Sequence, residues 1–262
     1  MRLRLLIAYD GSRYSGWQVQ CPSKAPFTIQ GCLEKAIGEL ANQQVRVIGS
    51  GRTDAGVHAL GQVAHVELSD ARPVHVDNWR HSLNCILPED IRILDACPVS
   101  SSFHAGKNVL SKTYAYVFWQ EKNFYPPLLY RQIWPCGPLD YKAMTSALPY
   151  LTGEHDFAAF QNAGTPLRST IRTIFNISLR EEALMNFLPL HEPVIRLQVT
   201  ASGFLKQMVR NIAGLLCYIG QGRIEVKEIP ALLAARDRQL LRSPTAPAAG
   251  LSLLNVKYAT EE

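Results

Sequence analysis

"VRVIGSGRTDAGVHALGQVAHVEL", residues 45–68, contains two extended runs separated by glycines. Val45–Ile48 is short, β-branched and stops at Gly49, whereas Gln62–Leu68 alternates apolar and polar residues as a half-buried strand does. The linker opens as a dinucleotide fingerprint would, with Gly49 and Gly51. Asp54 stands at the third glycine position, however, and no long helix follows. The G-x-x-x-x-G-K-[ST] phosphate loop and the G-x-S-x-G elbow are both absent. The stretch therefore predicts two strands of an antiparallel or mixed sheet, with a tight loop between them that carries one carboxylate.

Working outward, Leu3–Tyr9 reads as a strand ended by the turn Asp10-Gly11. Thr28 is placed to cap a helix whose apolar face is Ile29, Leu33, Ala36, Ile37 and Leu40. Val76–Leu87 reads as a second helix and Ile91–Ala96 as a further strand. In the second half, Lys112–Trp119, Thr170–Arg180, Pro193–Thr200 and Leu253–Tyr258 read as strands. Asp140–Leu151, His155–Phe160, Phe204–Ile219 and Val226–Arg236 read as helices. The fold class is α+β, with two α/β halves built on mainly antiparallel or mixed sheets. Residues 1–105 form an N-terminal half carrying the Asp54 loop, and residues 106–262 a C-terminal half. A joint near 99–111 is rich in serine, glycine and lysine.

Bulk composition narrows the function classes. No apolar run reaches the ~18 residues of a membrane helix, and the start Met1-Arg2-Leu3-Arg4 does not lead into a signal segment, so a cytoplasmic protein is expected. The six cysteines form no C-x-x-C pair and the seven histidines no ligand spacing, so neither a metal nor a disulfide framework is expected. A net charge of +5 resting on 18 arginines against 9 lysines leans toward phosphate or RNA, because the planar guanidinium suits phosphates and stacked bases.

Three constellations carry chemistry. Arg52-Thr53-Asp54-Ala55-Gly56 is either a glycine-flanked turn, with Asp54 bonding its own backbone, or a perch for an ionised nucleophile beside a cation. On a strand, Lys112, Tyr114 and Tyr116 share one face, which is either half-buried aromatic packing or a surface for a base to stack on. In Phe204–Asn211, Arg210 sits on a largely apolar helix with Lys206 one turn back. It is either a cation snorkelling at the edge of that face or a buried partner for a carboxylate, of which Asp54 is the most conspicuous.

Taken together, the chain resembles the tRNA pseudouridine synthase A family over nearly its whole length. The resemblance rests on Tyr9-Asp10-Gly11 through Gly16-Trp17-Gln18, on Gly51–His58, and on Leu83-Asn84 with Leu87-Pro88. Phe103-His104-Ala105, Lys112-x-Tyr114, Met208–Asn211 and Thr245–Ala248 with Gly250-Leu251 complete it. The resemblance implies the pseudouridine synthase fold, with two halves meeting around a basic cleft in a homodimer, and no metal or organic cofactor. It implies isomerisation of uridines 38, 39 and 40 in the tRNA anticodon stem-loop. By it, Asp54 is the essential nucleophile, Tyr114 the ring packed on the target base and Arg210 the partner of the aspartate. Arg52, Lys112, Lys107 and His58 are further RNA contacts. Where the family continues Phe-His-Ala with arginine, this chain has Gly106, and Lys107 carries the charge one position later.

Overall fold

A computed structural model describes residues 1–20, 27–69, 79–124, 126–162, 169–182 and 194–259. In chain order its elements are β1 (Arg2–Tyr9), α1 (Ile29–Ala41), β2 (Val47–Gly49), β3 (His58–Glu67), α2 (Trp79–Ile86), β4 (Ile91–Val99) and β5 (Val109–Trp119). There follow β6 (Trp134–Pro135), α3 (Tyr141–Leu151), β7 (Gly153–Asp156), β8 (Ile171–Glu182), β9 (Val194–Ala201), α4 (Met208–Gly220), α5 (Ile229–Ala235) and β10 (Leu251–Tyr258). They fall into two compact units, residues 1–110 with 252–262 and residues 111–251. None of the described helices is long and apolar enough to cross a membrane.

In the first unit β1 lies between β4 and β3, antiparallel to both, with Leu5 opposite Ala64 of β3 and Ala96 of β4. The other edge of β3 is shared. Its start pairs in parallel with β10 (Ser252 opposite His58), while its end pairs antiparallel with β2 (Val47 opposite Val66). Alternation along β1 buries Leu3, Leu5 and Ile7 completely. The Thr28 side chain accepts from Gly31 N–H and starts α1, whose Ile29, Leu33 and Ile37 are also fully buried. The loop from β2 to β3 therefore issues from the middle of a packed sheet rather than from an edge.

In the second unit β5, β9, β8 and β7 pair antiparallel in that order, with short β6 parallel to β5. Tyr114 opposes Val199, and Lys112 opposes Ala201. Helices α3 and α4 pack against each other, and α4 is buried on nearly every face.

Two expected helices are corrected. Within His155–Phe160, His155 and Asp156 instead pair with Arg172 and Ile171 as the end of β7, and only Ala158–Phe160 turns, as one 3-10 turn. The helix expected from Phe204 begins at Met208. Gln207 takes φ 64°, and the Lys206 carbonyl accepts from Asn162 N–H instead of from the next helical turn. Lys206 thus precedes α4 and shares no helix face with Arg210. The expected helix start at Val76 and strand start at Pro193 lie outside the described residues.

Candidate active site

In the first unit the chain around Asp54 is held from three directions. Ser50 N–H donates to Val63 O at 2.7 Å, and the Gln62 side chain accepts from Ser50 Oγ at 2.7 Å while donating to Gly51 O at 3.1 Å. From β1, the Tyr9 hydroxyl pairs with Thr53 Oγ1 at 2.8 Å, and from the following segment Trp17 N–H donates to Thr53 O at 3.0 Å. Gln62 is completely buried, and burial pushes the Tyr9 phenol up to about 12, so it keeps its proton and can donate. Beyond Asp54, Val57 N–H closes a turn on Asp54 O at 3.2 Å, and Gly56 supplies φ 80°.

Gly16 fixes how closely the opening segment approaches. With φ 93°, it occupies backbone space closed to side chains, and a Cβ there would stand 2.7 Å from Thr53 O and 3.1 Å from Ala55 N. The segment Tyr9–Gln18 is therefore the floor under the Asp54 loop. Asp54 itself is half-exposed and Arg52 exposed. His58 is buried beneath the loop, with Nδ1 accepting from Gly11 N–H at 3.2 Å and standing 3.1 Å from Asp10 Oδ1. Lys107 is exposed on a turn closed by its own N–H to His104 O.

The second unit holds Lys112, Tyr114 and Arg210. The Tyr114 ring is buried and meets Phe204 edge-on, with centroids 5.1 Å apart and planes at 87°. Two residues earlier on β5, Lys112 is half-buried, and desolvation lowers its ammonium to about 8. Arg210 lies in the first turn of α4, where its Nε donates to Ala246 O at 2.7 Å and its own carbonyl accepts from Ala246 N–H at 3.1 Å. The segment that receives it is pressed against α4, because a Cβ on Gly214 would come within 1.9 Å of Pro244 O. The fully buried Asn211 amide donates to Phe160 O and accepts from Thr245 Oγ1, both at 2.7 Å. The Tyr116 hydroxyl donates to Pro247 O at 2.9 Å, and the Arg210 charge next to it favours phenolate against the stronger effect of burial.

The sequence-derived candidates thus divide: Arg52, Asp54, His58 and Lys107 in one unit, and Lys112, Tyr114 and Arg210 in the other. Residues to which the sequence reading gave no supporting role hold both sets in place: Gln62 and the Tyr9–Thr53 pair under Asp54, and Asn211 with Ala246 around Arg210. A signal for Gln62 did exist, since an amide sits among the apolar positions of a strand flanked by Val63, Ala64 and Val66. Among the described residues, no group of three or more histidine, cysteine, aspartate or glutamate side chains is gathered as metal ligands.

The family model described as tRNA pseudouridine synthase matches residues 5–106 and 147–259. Among curated proteins, the chain is 45% identical over 257 residues to "tRNA pseudouridine synthase A" of Maridesulfovibrio salexigens, covering 98% of this chain and 90% of that one. It is 45% identical to the protein of that name from Oleidesulfovibrio alaskensis, covering 99% and 97%. The protein of the same name from Lawsonia intracellularis is 44% identical, with 98% and 99% covered.

Proposed function

The chain belongs to the tRNA pseudouridine synthase family, and we propose that it isomerises uridines 38, 39 and 40 in the tRNA anticodon stem-loop with Asp54 as the nucleophile. At the coarser level it is an isomerase that converts uridine to pseudouridine in tRNA. The reaction breaks the C1′–N1 glycosidic bond, turns the uracil, forms a C1′–C5 bond and releases the C5 proton. A carboxylate serves it by adding to C6 or by attacking C1′. The observation that carries the reading is the Asp54 loop. Its backbone is bonded at Ser50, Gly51 and Thr53 by residues from β3 and the Gly16-Trp17 segment, and the Thr53 hydroxyl by Tyr9 of β1, while the carboxylate stays half-exposed. That is the rigid perch a nucleophile needs.

The other residues take roles that fit their chemistry. Arg52, exposed beside the nucleophile, helps extract the target nucleotide, at a cost of a few kcal/mol in unstacking. Tyr114 packs on the extracted base. Arg210 has, by the family resemblance, the role of keeping the nucleophile's carboxylate ionised. The enzyme works in the cytoplasm as a homodimer without a metal. Incubation with tRNA tritiated at uracil C5 tests the reading: wild type releases tritium and Asp54→Asn releases none. Equal release from both proteins, or none from either, overturns it. Mapping pseudouridines in the treated tRNA tests the three positions separately.

A further inference from the structure

A cavity of about 500 Å³ lies on the first unit beside the start of the Asp54 loop, where an added Cβ on Gly106 would stand 3.5 Å from Gly49 O and the Tyr258 hydroxyl meets the Ser50 side chain. Its walls include Arg4 of β1, Phe103, His104 and Lys107 of the turn after β4, and Asn255 and Lys257 of β10. The turn is tied over the sheet, since Arg2 donates to the carbonyls of Ser101 and Phe103 and Ala105 N–H donates to His65 Nδ1 at 3.1 Å. Tyr258 completes the floor: its ring lies 5.2 Å from that of Phe103, and its hydroxyl donates to Ala105 O at 2.7 Å. His104 in turn packs on His65, with centroids 4.8 Å apart. The result is a wall of partly exposed aromatic rings with cations at its rim.

The charge of the rim is available to a ligand. Arg4 shares its charge with Asp95 at 3.4 Å, and both side chains are substantially exposed. Lys107 and Lys257 are exposed, and among the described residues neither has a carboxylate partner within 4 Å. Cations around aromatic rings, with an amide on the same wall, are the chemistry that takes a phosphate and the nucleoside attached to it. The volume suits one such group, lying within the ~300–1,000 Å³ of small-ligand sites.

We propose that this cavity is a second RNA-contact site, which grips a backbone phosphate and its nucleoside on one side of the reacting uridine. The proposal rests on the tRNA-modifying reading above. Strand register shows which end of the loop the cavity adjoins. Ser252 pairs with His58 at the loop end of β3, whereas Arg4 opposes His65 near the cavity. His65 lies seven residues, about 23 Å, along β3 from His58, at the end where Gly49 pairs with Ala64 and the loop begins. The cavity therefore sets how the RNA lies across the unit beside the reacting nucleotide.

The test measures tRNA affinity against salt concentration for wild type, for Lys107→Met/Lys257→Met, and for Lys107→Arg/Lys257→Arg. Each lost phosphate contact flattens the slope of log affinity on log salt by about 0.7–0.9, so the methionine pair, which empties one phosphate site, flattens it by about that much and weakens binding about four- to sixfold near 0.15 M salt. The arginine pair restores both. Tritium release, assayed in parallel, shows the loss in KM rather than in kcat. An unchanged slope and affinity in the methionine pair overturns the site. Saturable wild-type binding of free uridine monophosphate, lost in the methionine pair while the tRNA slope stays constant, overturns it in favour of a free-nucleotide site. Absence of tritium release from wild type, with the slope change intact, counts against the catalytic reading alone.

Discussion

Substituting alanine for Gly16 separates the position of the Asp54 loop from the stability of the fold. At φ 93° an alanine is strained by about 1–2 kcal/mol, the cost of left-handed backbone for an L-residue. Its Cβ would also stand 2.7 Å from the Thr53 carbonyl oxygen, a backbone atom that cannot rotate away. Relief to an ordinary contact near 3.4 Å moves Thr53, and Asp54 with it, by about 0.7 Å. A misplacement of about 1 Å costs about 100-fold in rate, so kcat falls by tens of fold. Gly222→Ala is the control. Gly222 has φ 69° just past the end of α4, but nothing lies within 4 Å of its Cβ, so it carries the strain without the clash. Both variants lose about 2–4 °C of Tm per kcal/mol. Single-turnover tritium release is measured beside thermal unfolding. If Gly16→Ala keeps kcat within twofold of Gly222→Ala, the loop is compliant and the perch argument fails.

Three further outcomes follow from buried or partly buried polar groups. Gln62→Leu strips the bond from Gly51 O and the acceptor from Ser50 Oγ, costs about 1–3 kcal/mol, and lowers kcat more than it raises KM; steady-state tritium release that shows only a KM effect refutes this. His65 is lowered to about 4 by burial, aided by the nearby charges of His104 and Arg2. Between pH 6.5 and 4 the unfolded chain therefore binds a proton that the folded chain refuses, so stability falls as pH falls through that window, by up to about 3 kcal/mol, and is unaffected above it. Urea unfolding of His65→Gln over the same range shows a shallower slope, and an unchanged slope contradicts the assignment. Lys112, lowered to about 8, loses its charge as pH rises through that value. If it meets RNA phosphate, wild-type tRNA affinity drops between pH 7 and 9 while Lys112→Arg holds level; parallel profiles for the two remove Lys112 from the interface.

The architecture was legible where a side-chain period coincided with real strand pairing. The alternating Leu3, Leu5 and Ile7 and the aromatic alternation of Lys112–Trp119 both became central strands. The failures share one cause. Phe204 to Asn211 has helical spacing, yet Lys206 O is taken by Asn162 N–H and the backbone cannot enter the helix until Met208. His155 and Asp156 were drawn into β7 by partners in β8 some sixteen residues away. A single sequence shows the side-chain pattern but not which distant backbone group competes for a given carbonyl.

The same limit explains why the Asp54 loop could be read either as a turn or as a perch. An Asp-x-Gly turn that only reverses the chain satisfies itself locally, through its own side chain and backbone. Here, besides the local bond from Val57 N–H to Asp54 O, the backbone leading to Asp54 is bonded by Trp17, Gln62 and Val63 and the Thr53 hydroxyl by Tyr9, all near in space and scattered along the chain. Local sequence had to leave the choice open, because the residues that bear on it are not local. The Tyr9-Asp10-Gly11 to Gly16-Trp17 segment, which by itself reads as a strand end and a loop, supplies the missing half. It brings Gly16 against Thr53 where no side chain fits, and it seats His58 on Gly11 and Asp10. A turn that only reverses the chain needs no such buried floor, whereas a nucleophile that must be aimed to within about 0.5 Å does, and this is why the floor supports the role proposed for Asp54.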